Sequence, residues 1–190
     1  MIVVYILLIA AAVFLNMLLR FFFQRLSLLV QLKRFTQKYG YLLKVRNYFY
    51  FYFPTNRSSE STVTIETNDN YYNIRLFGLL RKHCEVHFWN LKAYSVDSYM
   101  TRREFVYSEP IGERNVKHRP LGEFPKPELT ANKTVVPILL FSPTNVVVRL
   151  KQTVVNRYAD LRAGDKIDEA LFADTDFLFR HIAYMEKQDY

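Results

Sequence analysis

The stretch Ser61–Gly78 reads STVTIETNDNYYNIRLFG, two runs of alternating character on either side of a polar turn. A period of two is the pattern of a strand with one buried face. Taking Asp69-Asn70 as the two-residue turn sets Val63 opposite Leu76 and Ile65 opposite Ile74, an apolar face. Thr64 then meets Arg75 and Glu66 meets Asn73 on a polar face. Both faces are chemically consistent in this register, so the stretch predicts a β-hairpin and a domain built around a sheet.

Strand signals continue outward from the hairpin. Cys84–Phe88 and Lys92–Val96 read as a pair around Asn90, with Arg103–Tyr107 as a further strand. Val135–Phe141 and Val146–Leu150 are apolar runs parted by Ser142-Pro143-Thr144-Asn145, and Ile167–Phe172 reads as one short strand. Tyr48–Phe53 alternates Tyr with Phe, which predicts a strand with phenyl rings inward and phenols toward water. Residues 108–133 hold Pro110, Pro120, Pro125 and Pro127 among few apolar residues, a spacing that predicts a long loop. Asp174 is placed to cap a last helix whose Phe177, Leu178, His181, Ile182 and Met185 recur at three-to-four spacing.

The other decisive segment is the N-terminal one. Ile2–Leu19 is an uninterrupted apolar run with Asn16 as its one polar member. Eighteen residues as a helix span roughly 27 Å, close to the ~30 Å hydrocarbon core of a bilayer, and Phe21, Phe22 and Phe23 extend it. The formal net charge of +8 in 190 residues has a matching geography. No charge precedes Arg20, eight basic and no acidic residues fill Arg20–Arg57, and the 18 basic residues beyond are matched by 18 acidic ones. Basic residues beside a span stay on the cytoplasmic side, so the N-terminus is expected outside and the domain in the cytoplasm. Arg20, Arg25, Lys33, Arg34 and Lys38 are then expected at the membrane surface.

The expected organisation is a transmembrane anchor over 1–23, a basic juxtamembrane helix over 24–43 ended by Gly40, and a cytoplasmic domain over 44–190. The fold class is α+β: an N-terminal transmembrane helix, then a sheet-dominated domain closed by a C-terminal helix.

The chemistry on offer is sparse. Five glycines, no two closer than ten residues, exclude a P-loop or a dinucleotide-binding turn. One cysteine, Cys84, excludes a disulfide framework or a Cys-rich zinc module. His83 and His87 on a strand lie about 13 Å apart, too far to share an ion. Among Asp165, Asp168, Glu169, Asp174 and Asp176 the spacing of a calcium loop is missing, and the last two suit a helix N-terminus. No metal and no cofactor is therefore expected. The electroneutral domain argues against a nucleic-acid partner, leaving the lipid bilayer and a protein partner.

The run V-T-I-E-T, a turn, and Y-N-I-R-L-F-G resembles the hairpin of the PD-(D/E)xK nuclease fold, in particular the nuclease-related domain. Pro137–Phe141 is similar to its following core strand, and Leu171-Phe172 with the helix from Asp174 to Met185 to its closing strand and helix. The resemblance would put Glu66 in the place of the first acid, Asn73 in that of the second and Arg75 in that of the lysine. Asn73 brings no negative charge for a cation, and Arg75 stays protonated and cannot serve as a base. A related fold would thus carry a degenerate site. The function expected from the sequence is a single-pass membrane protein with a non-catalytic interaction domain, with a membrane-tethered nuclease-like enzyme as the alternative.

Overall fold

The computed structural model describes residues 2–52, 62–78, 84–90, 93–98, 104–107, 133–142, 147–152 and 157–187. The first element, α1, is one unbroken helix over Ile2–Tyr39. Its apolar N-terminal half is exposed along its length, and the most apolar 18-residue window, of mean hydropathy 2.8, has no buried residue. Its second half is a core element. Phe21, Arg25, Leu28, Leu29, Leu32, Phe35 and Thr36 recur every three or four residues and form its buried stripe. The juxtamembrane segment, readable from the sequence either as a helix lying in the headgroup layer or as a continuation of the apolar helix docked on the domain, is the second. It ends in a Schellman motif: the Tyr41 amide donates to the Thr36 carbonyl at 2.8 Å and the Gly40 amide to Gln37 at 3.4 Å, with Gly40 at φ +71°.

Strand β1 (Leu42–Val45), unforeseen in the sequence, follows at once. The next element, α2 (Tyr48–Tyr52), is helical rather than the expected strand. Asn47 starts it: its Oδ1 accepts from the Phe49 amide at 2.9 Å and its carbonyl from the Phe51 amide at 3.0 Å. Burial follows the helical turn, with Phe51 in the core and Tyr48 and Phe49 exposed.

The hairpin is β2 (Thr62–Glu66) and β3 (Asn70–Phe77). Its register differs from expectation by two residues: Val63 faces Ile74, Ile65 faces Tyr72 and Thr64 faces Asn73. The turn is Asn68-Asp69, closed by the Thr67 amide donating to the Asn70 carbonyl at 3.0 Å and the Asn70 amide to Thr67 Oγ1 at 3.0 Å. A shift of two keeps every side chain on its expected face.

Beyond it come β4 (Cys84–Asn90), β5 (Ala93–Ser98), β6 (Glu104–Tyr107), β7 (Thr134–Phe141), β8 (Val147–Gln152), the unforeseen β9 (Arg157–Asp160), β10 (Lys166–Ile167), β11 (Ala170–Ala173) and α3 (Thr175–Met185). The expected strand Ile167–Phe172 is instead the pair β10–β11, turned at Asp168 with φ +51°. Of the expected long loop 108–133, all but Lys133 lies outside the described residues, as do His83 and His118.

Two mixed sheets result, ordered β1-β2-β3-β7-β11-β10 and β6-β5-β4-β8-β9. They stack with the helices into three layers. One face of the first sheet, including Val63, Ile65, Ile74, Ile138 and Leu140, packs on α1, α2 and α3. The other, including Phe77, Leu139, Phe141 and Phe172, packs on Val86, Phe88 and Val148 of the second sheet. Central β7 serves both cores, so it reads as a continuous apolar run. Pro137 is tolerated because β11 begins to pair only at Ile138.

Parallel β3 and β7 leave the first sheet together at Phe77 and Phe141, and their continuations β4 and β8 pair in parallel in the second. At this corner the Ser142 amide donates to the Phe77 carbonyl at 3.0 Å. A methyl on Gly78 would stand 2.6 Å from the Ser142 carbonyl oxygen, 2.8 Å from Arg25 Nη2 and 3.1 Å from Phe21. Gly78→Ala should therefore destabilise the protein by about 1–3 kcal/mol, read as a lower denaturation midpoint of the full chain in detergent. An unchanged midpoint would mean that α1 does not press on the corner.

Candidate functional site

The hairpin face that carries Glu66, Asn73 and Arg75 turns toward the second sheet, and the three residues meet different fates along it. Glu66, at the hairpin end, accepts from Lys133 Nζ at 2.8 Å and lies 3.8 Å from Lys44 Nζ. The Lys133 hydrogen bond, above all, holds its carboxyl below the ordinary glutamate range. Asn73 and Arg75 are only 1% and 2% exposed and are engaged by neighbours there. Burial lowers the Arg75 guanidinium to about 10, which leaves it charged at neutral pH. The polar sheet face expected of these residues is thus largely buried. The one carboxylate of the three is neutralised by lysines from β1 and from just ahead of β7. No local pattern points to Lys133, which reaches Glu66 across 67 positions.

The most connected polar group is one that the sequence left unremarked, Glu186 just past α3. Its Oε1 accepts from Thr67 Oγ1 at 2.8 Å, Asn70 Nδ2 at 2.6 Å and Tyr72 Oη at 2.8 Å. Burial, and next the Glu186 carboxylate, raise the Tyr72 phenol well above the usual tyrosine range, so it stays a donor. The carboxylate thereby fastens α3 to the hairpin turn across some 115 residues, a fixing role. Charge-assisted bonds of this kind are the stronger ones. Glu186→Ala should cost about 2–4 kcal/mol and Tyr72→Phe about 1–2 kcal/mol in chemical denaturation; equal effects would show that the three bonds do not act together.

In α3, Asp174 Oδ1 accepts from the Phe177 amide at 2.7 Å, the cap expected of it. Asp165 accepts from the Arg162 amide at 2.7 Å, so both acids have structural work. No group of three potential metal-ligating side chains occurs among the described residues. His87 lies on β4. His181 stacks on Phe177 with centroids 5.5 Å apart, and burial lowers its pKa from the ordinary 6.5. A histidine with a lowered folded pKa is protonated more readily in the unfolded chain. Stability is therefore kept above pH 6.5 and lost as pH falls from there toward the folded value. Melting temperatures measured from pH 7 to pH 5 should fall, and His181→Phe should flatten that part of the profile.

Along α1, Arg20, Lys33, Arg34 and Lys38 are exposed. Arg25, expected at the membrane surface, is instead 2% exposed. The helical repeat puts it on the docked stripe, where its guanidinium lies over the Phe21 ring at 5.0 Å. Among the described residues its Nε and Nη1 have no hydrogen-bond partner. Lys33, Arg34 and Lys38 stand about 20–27 Å beyond Arg20 along the helix axis, so Arg20 is the charge next to the apolar run.

The fold and these clusters define an α+β protein with a long apolar N-terminal helix of membrane-spanning length. Comparison with family models, curated proteins and solved structures gives no match.

Proposed function

We propose that the chain is a single-pass membrane protein, N-terminus outside, whose cytoplasmic α+β domain binds another protein without catalysing a reaction. The observation that carries the anchor is the continuity of α1. A core helix of a soluble protein would be mostly covered, yet the apolar window of α1 has no buried residue, while the same helix, without a break, enters the core from Phe21 onward. The eight basic residues from Arg20 to Arg57 support the orientation. The non-catalytic reading is supported by Glu66 being held by Lys133 and Lys44 and by the burial of Asn73 and Arg75.

A second reading, a membrane-tethered nuclease-like enzyme, is favoured by one arrangement. Strands β2, β3, β7 and β11 are neighbours in one sheet, the set for which the resemblance was noted. Its chemistry would still need a carboxylate beyond Glu66 to hold a cation.

Synthesis of the full chain with microsomes tests the proposal. Resistance to carbonate extraction, with no sugar added at Asn56-Arg57-Ser58 or Asn132-Lys133-Thr134, is expected for a cytoplasmic domain. Extraction by carbonate would overturn the anchor, and glycosylation the orientation. Mg²⁺- or Mn²⁺-dependent cleavage of DNA or RNA by the detergent-solubilised chain, abolished by Glu66→Ala, would replace the binding reading by the nuclease one.

A further inference from the structure

The short helix α2 is where sequence expectation and structure part most sharply, and its placement has a chemical meaning. Phe51 roots it in the core, and the Tyr52 ring lies 4.7 Å, centroid to centroid, from that of Phe22 on α1. Phe22 is 20 residues beyond Ile2, about 30 Å along the helix, which is the thickness of the hydrocarbon layer. The Phe22 contact therefore holds α2 at the level where α1 leaves the hydrocarbon. Tyr48 and Phe49 are 53% and 61% exposed, an aromatic rim on the domain, and Phe23 of α1 is 61% exposed as well.

The chemistry of this rim suits one surroundings. Phenyl and phenol rings prefer the boundary between acyl chains and headgroups, where the ring is dry and the phenol wet. Arg46 nearby is exposed, and no acid precedes Glu60 in the chain. That charge complements lipid phosphate. We propose that α2 is a second membrane contact: Tyr48 and Phe49 enter the headgroup–acyl boundary beside the anchor and fix the rotation of the domain about it. This rests on the anchor reading above. A lone helix leaves the domain free to turn about the helix axis, and a second point of contact removes that freedom.

The test uses the full chain in phosphatidylglycerol–phosphatidylcholine vesicles, with tryptophan introduced at three sites in turn and the wild-type Trp89 signal subtracted. Phe14→Trp reports the anchor, Phe49→Trp the proposed contact, and Tyr184→Trp the 80%-exposed far end of α3. Lipids spin-labelled near the top of the acyl chain should quench Phe49→Trp several-fold more than Tyr184→Trp. Lipids labelled deep in the chain should quench Phe14→Trp most. Quenching of Phe49→Trp no greater than that of Tyr184→Trp, with Phe14→Trp quenched, would overturn the contact and leave the anchor standing. Loss of quenching at Phe14→Trp as well would overturn both. Protection of Phe49→Trp from an aqueous quencher without quenching by lipid would assign the rim to a protein partner instead.

Discussion

Everything in this fold depends on one docking, that of the α1 stripe from Phe21 to Thr36 on the first sheet. Without it, the helix-facing side of that sheet, including Val63, Ile65 and Ile74, would lose much of its cover. Leu28, Leu29, Leu32 and Phe35 are each 8% exposed or less. At about 1.5–3 kcal/mol for each large apolar side chain, their burial contributes roughly 6–12 kcal/mol before entropy is charged against it. That is comparable to the whole net stability of an ordinary domain. The second half of α1 is therefore a core element rather than a linker. Contacts seal it at the far end, where the Phe35 ring lies 4.8 Å from Phe179 of α3.

The same docking explains the corner at which the chain changes sheets. Here β3 and β7 end side by side at Phe77 and Phe141, and Gly78 lies against Ser142 and against Arg25 and Phe21 of α1. Gly78 is required by space and not by backbone conformation, since it is absent from the residues with positive φ. Arg25 fills the room that a side chain at Gly78 would claim. Burying a guanidinium is costly unless its donors are met, and the stacking on Phe21 offsets part of that cost. A residue that looked like one more positive charge at a membrane surface is a packing piece of the corner.

How much was legible follows from the range over which each feature is decided. The hairpin faces could be read because alternation is local, whereas its register could not. Asn70, placed in the turn by local turn chemistry, opens β3 instead and donates to Glu186, 116 positions away. The cap at Asp174 and the stop at Gly40 were legible for the same local reason. Tyr48–Phe53 misled because Tyr and Phe are both apolar in the body, so the alternation carried no face. Asn47, an N-cap residue just ahead, was the signal that would have favoured a helix. The burial of Asn73 and Arg75 was out of reach, because alternation along a strand tells the two faces of a sheet apart without telling what covers each.

That burial also governs where function can reside. A hydrolytic centre on the β2–β3 hairpin would need its substrate to reach Asn73 and Arg75, which are 1% and 2% exposed. The hairpin's other polar groups are tied into the fold, Glu66 to Lys133 and the turn to Glu186. Exposed groups near the end of the apolar run include Arg20 of α1 and Tyr48 and Phe49 of α2, one charged and two aromatic. They are the two kinds of group that an anionic membrane surface receives. The net charge of the chain has a local origin: the surplus lies between Arg20 and Arg57, and the residues beyond are balanced.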